Sequence, residues 1–255
     1  LETINFLTEA EVTPSSLPNI VKSFISDPDE YHKVQDDIIK ALDLLTEAKV
    51  LLDTNKTYRI TSDIEQRLLD EMNGFTVQGF VKKKQLVTAY KGANVTKSIG
   101  KVADNSLQFD FYITTDNDDE LTTPSLKYLK VKIKSVYNIS DDRSADIEHL
   151  KEQHKDDKDL LWMVPDNSYF KELDRLIDEV ERITYLEQKY NNPNSEEGKI
   201  LISFSTAKGE KQNRIKDLVE ESLINATAVY LYNTFQLNKE NWQNTLQEQQ
   251  RNIIQ

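Results

Sequence analysis

Residues 160–173 read LLWMVPDNSYFKEL. Five apolar residues run into Pro165, a short polar pause follows, and a helical pattern begins at Phe170. That order predicts a strand feeding a helix. In many α/β enzymes a glycine-rich phosphate cradle sits at such a junction. These residues contain no glycine, so the junction reads as scaffold rather than as a nucleotide site.

The helix that follows is well marked. Phe170, Leu173, Ile177, Val180, Ile183 and Glu187 keep a three–four spacing, with Leu176 and Leu186 widening the stripe. Asn167 or Ser168 suits its start, and Pro193 stands just beyond its end. A second, polar helix is expected over residues 195–225, although Gly198 and Gly209 each weaken it by about 1 kcal/mol. Two long helices joined by a short loop predict an antiparallel hairpin. TAVYLYNTFQL then reads as a strand pair or one long strand, and NKENWQNTLQEQQRNII as an amphipathic helix with an amide-rich face.

Upstream, residues 140–159 are almost wholly polar and read as a loop or exposed helix at a module boundary. Before them the pattern shifts to period two over residues 75–136. FTVQGFVKKKQLVTAY reads as strand broken at Gly79. Leu107, Phe109, Phe111 and Ile113 share one face. Leu129, Val131 and Ile133 point inward, against Lys130, Lys132 and Lys134 outward. One wet and one buried face predict an antiparallel sheet.

The first 30 residues, interrupted by Pro14, Pro18 and Pro28, read as short helices broken by turns. Val34, Ile38, Ala41, Leu42 and Leu45 then make one apolar helical face. KVLLDTNKTYRIT predicts a hairpin turning at residues 53–56. Ser62 and Glu65 form a capping-box pattern for the next helix. Helix followed by hairpin is the order of a winged helix, which is expected here ahead of the plainer alternative of a small helical domain with a two-stranded flap. The helix before the hairpin carries Asp36, Asp37, Asp43 and Glu47 against Lys33, Lys40 and Lys49. Its acids repel phosphate, so a winged helix here is expected to hold protein rather than read bases.

The expected fold is thus α+β in three modules. Residues 1–74 form a winged-helix-like module, residues 75–159 an antiparallel β-rich module with a polar linker, and residues 160–255 a helical-hairpin arm with a C-terminal strand and helix.

Whole-chain totals narrow the functional classes. The 255 residues carry a formal charge of −12, which argues against a surface devoted to nucleic acid. Cysteine is absent, which excludes disulfides and thiolate chemistry and fits a reducing cytosol. No apolar run approaches the ~18 residues of a membrane span, and no secretory leader pattern is present, so a cytoplasmic protein without a membrane partner is expected. The chain starts at Leu1 rather than Met, as expected of a piece of a longer protein.

Chemical motifs are weak. GANVTKS (92–98) lacks the second glycine of a phosphate loop, because Lys97 stands there, and no helix pattern follows. DNDDE (116–120) would need Gly and Glu where Leu121 and Lys127 stand to be an EF-hand, so a solvated hairpin tip is expected. His149 and His154 are five apart, not the four of a helical metal pair. No nucleophile has a recognisable base. No catalytic, cofactor or metal residue is therefore assigned, and no small-molecule substrate is expected. One local feature remains: residues 72–103 contain no Asp or Glu but hold Lys82, Lys83, Lys84, Lys91, Lys97 and Lys101. These are the candidate nucleic-acid-binding residues, lying along the wet face of a sheet; the plainer reading is edge lysines that block sheet aggregation.

Three segments carry a family resemblance. AKVLLDTNKTYRITSDIEQRLLDEM (48–72) resembles the winged-helix segment that follows the ATPase core in the P-loop protein of BREX phage-defence systems, the BrxC/PglY type. DLLWMVPDNSYFKELDRLIDEVERITYLEQKY (159–190) resembles that family's apolar strand, Pro-Asp and long helix. RIKDLVEESLINATAVYLYNTFQL (214–237) resembles its later helix-into-strand. The resemblance implies a region C-terminal to the ATPase core of a bacterial antiviral protein. The family's phosphate loop and acidic metal-binding strand are not in this chain, so no catalytic residue carries over. What it implies is a non-catalytic fragment that engages other BREX proteins or copies of itself. The alternative is a nucleic-acid-binding module using the lysine-rich segment.

Overall fold

The computed structural model describes residues 1–9, 13–54, 56–94, 96, 102–104, 107–123 and 128–254. The chain divides into two compact units, one of Leu1–Thr76 with Tyr185–Ser203 and one of Val77–Thr184 with Phe204–Gln255.

In the first unit the proline-broken N-terminus forms two short helices, α1 (Glu2–Glu9) and α2 (Leu17–Lys22), then a 3-10 turn at Pro28–Glu30. The long α3 (Tyr31–Glu47) follows. It ends where Lys49 adopts a left-handed conformation (φ 60°). The expected hairpin is β1 (Leu51–Thr54) paired antiparallel with β2 (Thr57–Ile60). Asp53 closes its turn by accepting from the Lys56 amide at 2.8 Å, and Lys56 sits at φ 63°. Ser16 bridges to Thr57 on the hairpin's other edge. α4 (Asp63–Gly74) begins with the capping box of Ser62 and Glu65, as expected. Arg59 of β2 locks Glu65 bidentately. Ile4, Ile20, Leu42 and Leu51 form the core.

The second unit is built on a six-stranded sheet of order β3-β4-β5-β6-β7-β8. Its strands are β3 (Val102–Asp104), β4 (Leu107–Thr115), β5 (Tyr128–Ile133), β6 (Leu160–Val164), β7 (Thr227–Tyr230) and β8 (Asn233–Gln236). The helices are α5 (Gly79–Gly92), α6 (Arg143–Gln153), α7 (Phe170–Lys189), α8 (Glu196–Ile224) and α9 (Trp242–Ile254), α7 and α8 each continuing into the first unit. Ion pairs Arg214–Glu172 and Lys211–Glu179 run in opposite chain directions, as an antiparallel pair of helices requires. β7 and β8 are the expected strand pair, turning at Leu231 (φ 52°).

Two expectations are corrected. First, the sheet is mixed: β4–β5 and β5–β6 are parallel, and the other pairs antiparallel. The polar segment between β5 and β6 supplies the crossover that parallel pairing needs, and α6 lies within it. The wet-face alternation that suggested antiparallel pairing is real, because α6 covers only part of that face. Ile147 and Leu150 of α6 pack on Trp162, Val164 and Val229, while Lys130 stays exposed. Because β4 and β5 are parallel, residues 116–120 are not the tip of a hairpin formed by those two strands. They turn the chain back along β4, with Thr114 bridging Glu120. The boundary placed at residue 159 falls between β5 and β6, which are hydrogen-bonded neighbours.

Second, residues 79–92 are a helix, not a strand. Leu86, Tyr90 and Ala93, at i, i+4 and i+7, are 1%, 1% and 0% exposed. Burial of that face overrides the strand preference of Val81, Val87, Thr88 and Tyr90. α5, α7 and α8 together cover the apolar face of the sheet, where Ile113, Val131, Ile133, Leu161 and Met163 are buried.

Candidate functional site

The junction at residues 160–173 is fixed by ordinary scaffold contacts. Arg143 donates to the carbonyls of Val164 and Pro165 at 2.7 and 2.9 Å. The Asp166 amide donates to Ser222 O at 3.0 Å, and the Ser222 hydroxyl donates back to Asp166 O at 2.6 Å. Of the amides at this junction, those of Asp166, Ser168 and Phe170 already donate within the fold, to Ser222 O, Asp166 Oδ1 and Asn167 O.

The acidic turn is similarly occupied. Asp116 accepts from Ser135 N at 3.1 Å and Asn138 Nδ2 at 2.9 Å, and Asp118 pairs with Lys132 at 2.8 Å. His154 Nδ1 lies 2.6 Å from Asp157 Oδ2, with its ring centroid 5.1 Å from that of Trp162. Among the described residues no group of three or more His, Cys, Asp or Glu side chains could hold a metal ion.

The lysine-rich segment is where the structure changes the picture most. At 3.6 residues per turn, α5 has two distinct faces. Leu86, Tyr90 and Ala93 go to the core, and buried Thr96 closes the helix end, its hydroxyl 2.8 Å from the carbonyls of Tyr90 and Ala93. Lys82 leans to the inner side. Its Nζ lies 3.1 Å from Asp174 Oδ1 and 3.1 Å from Asp178 Oδ1 on α7. Burial alone would lower its pKa, but the two carboxylates outweigh that and hold it above its ordinary value. Tyr137 donates to Asp174 at 3.0 Å, and Arg182 donates to Asp178. Lys82 is therefore a helix-to-helix tie rather than a free cation.

The outer face is different. Phe80, Lys83, Lys84, Val87 and Lys91 (i, i+3, i+4, i+7, i+11) lie on one side of α5. Lys83, Lys84 and Lys91 are exposed, and Phe80 is 73% exposed. No acidic residue occurs anywhere on this helix. Lys97 and Lys101 fall outside the described residues, as do residues 95, 97 and 98 of the GANVTKS stretch. Of the six candidate lysines, three thus share an outward stripe and one is sequestered.

Beside the stripe α5 borders a cavity of about 220 Å³. Ala89, Ile177, Val180 and Ile215 form its apolar floor, and Gln85, Thr88, Gln212 and Lys216 its polar rim. Gln85 also donates to Glu181 of α7. Burial raises the Glu181 pKa, and the Gln85 hydrogen bond, Lys208 and Lys84 offset this only in part. The pocket is thus apolar at its floor, with Lys216 as the cation on its rim. Sequence reasoning missed the pocket and Phe80. The spacing Leu86–Tyr90–Ala93 was the available signal, since it assigns α5 its inner face and, by subtraction, its outer one.

Comparison with protein-family models, with curated proteins and with solved structures finds no match to this chain. No helix among the described residues is long and apolar enough to cross a membrane.

Proposed function

We propose that this chain is a non-catalytic binding and assembly region of a BREX-type ATPase (BrxC/PglY type) acting in cytoplasmic phage defence, engaging partner proteins or further copies of itself. The observation that carries the binding role is the outer stripe of α5, an acid-free cationic face with an exposed aromatic beside an apolar pocket. An exposed aromatic beside an apolar pocket is typical of protein-docking sites, and lysines around it steer an acidic partner toward it. The family assignment rests on the three resembling segments. In this reading α3, the β1–β2 hairpin and α4 serve as a winged helix that holds protein. Exposed Asp36, Asp37, Asp43 and Glu47 on α3 support that over base reading.

The same three lysines favour nucleic acid as a second reading, because phosphate is also drawn to a cationic stripe. Two measurements separate them. Sedimentation of the chain, alone and with the other BREX proteins, is expected to show larger species; a strict monomer that engages none of them contradicts the proposal. DNA titrated at two salt concentrations is expected to bind weakly. A steep salt dependence, lost in Lys83→Gln/Lys84→Gln/Lys91→Gln, supports the second reading instead.

A further inference from the structure

The pocket beside α5 needs an apolar side chain presented among negative charges, and the chain carries one. α2 ends at Lys22, and Phe24, two residues on, is 58% exposed. Three carboxylates follow within six residues, Asp27, Asp29 and Glu30, all exposed. The segment is held in shape rather than loose. The Phe24 amide donates to Val21 O at 3.0 Å, and Asp27 caps the 3-10 turn by accepting from the Asp29 amide at 3.0 Å. Pro28 stiffens it further.

We propose that Phe24 of one copy of this chain seats in the pocket between α5, α7 and α8 of a second copy, with Asp27, Asp29 and Glu30 set against Lys84, Lys91 and Lys216. This rests on the binding role proposed above and names its partner. Size, polarity and charge agree. A dry cavity of about 150 Å³ holds a benzene molecule, so about 220 Å³ accommodates a phenylalanine ring. The floor of Ala89, Ile177, Val180 and Ile215 offers the ring only carbon; Lys216 of α8 lines the pocket, and exposed Lys84 stands one turn before Thr88 of its rim on α5. A cationic rim around an apolar pocket selects an acidic segment with an aromatic anchor. Against a chain of net charge −12, the acid-free stripe is also where a second copy meets least repulsion. Donor segment and acceptor pocket are different surfaces, so the contact is heterologous and adds copies head to tail.

The test is complementation of charge-reversed chains, followed by sedimentation velocity. The wild-type chain is expected to assemble with rising concentration, less so at high salt. Lys84→Glu/Lys91→Glu spoils the pocket side, and Asp27→Lys/Asp29→Lys spoils the segment side. Each alone is expected to weaken assembly on the order of a hundredfold. Mixed, they are expected to co-assemble in strict alternation, because the native segment of one meets the native pocket of the other and the lysine segment meets the glutamate pocket, whereas neither assembles alone. Phe24→Ser and Thr88→Trp alter exposed positions and are expected to block assembly with circular dichroism unchanged. Assembly that survives all four variants overturns this docking while leaving a binding role in place. So does binding of the other BREX proteins by a chain that never self-associates. A chain that stays monomeric and binds nothing overturns the docking and the binding role together.

Discussion

Lys82 Nζ of α5 lies 3.1 Å from Asp174 Oδ1 of α7, an ion pair that ties together two of the helices framing the pocket. Asp178 Oδ1 sits at the same distance from Lys82 Nζ, so the cation answers two carboxylates at once. Lys82→Met leaves both acids without it. Charged hydrogen bonds contribute about 1.5–3 kcal/mol. Partial water access at Lys82 and at both aspartates brings the expected loss toward about 1–2 kcal/mol. Urea unfolding of Lys82→Met, Asp174→Asn and the double variant measures it, and the double variant is expected to lose less than the sum. Additive losses would mean that the two residues do not interact.

Glu181 carries the opposite sign. Its folded-state pKa is raised above the ordinary carboxylate value of 4.5, because burial disfavours the charged form. An acid with a raised folded pKa costs stability once it is ionised, so the cost is present at neutral pH and vanishes as pH falls through the folded pKa. Glu181→Gln keeps an acceptor for Gln85 and is expected to be more stable than wild type at pH 7. The margin should shrink toward pH 4. A margin that stays constant with pH would show that burial of this charge is not the cause.

The two glycines of α8 should respond in opposite directions. A side chain at Gly198 would collide with the Asn192 carbonyl, whereas Gly209 has nothing within 4 Å of an added methyl group. Gly209→Ala is expected to raise stability by roughly 0.5–1 kcal/mol through helix propensity. Gly198→Ala should lower it, because backbone rather than a flexible side chain must move. Thermal unfolding of the two variants side by side checks this, and similar effects from both would contradict it.

Gln250 of α9 is fully buried, and among the described residues neither polar atom of its amide group has a hydrogen-bond partner. An unpaired buried amide costs about 1–3 kcal/mol. Gln250→Leu is therefore expected to raise the denaturation midpoint. A drop would show that the amide is satisfied after all.

Much of the fold was legible because single elements bury single faces. The stripe Leu173–Ile177–Val180 identified α7, and Val131 with Ile133 gave the inward face of β5. Asp53 to Lys56 and the Ser62–Glu65 box marked a hairpin and a helix start through local chemistry alone. α5 was not legible. Its inner side takes in Lys82 and Gln85 as well as Leu86 and Tyr90, so polar residues interrupt the apolar face and the 3.6-residue period fades. Strand direction was not legible either, since alternation records which face is wet and not which way a neighbour runs. The pocket depends on α5 packing against α7 and α8, three segments far apart in sequence, and no local pattern announces it.

Sedimentation of the wild-type chain across a hundredfold range of concentration, at low and high salt and with the proteins of a BREX system added as proposed partners, tests the binding role most directly. Mass rising above 29.6 kDa, more at low salt and less in Lys83→Gln/Lys84→Gln/Lys91→Gln, is the expected result. A species of 29.6 kDa under every condition would contradict it.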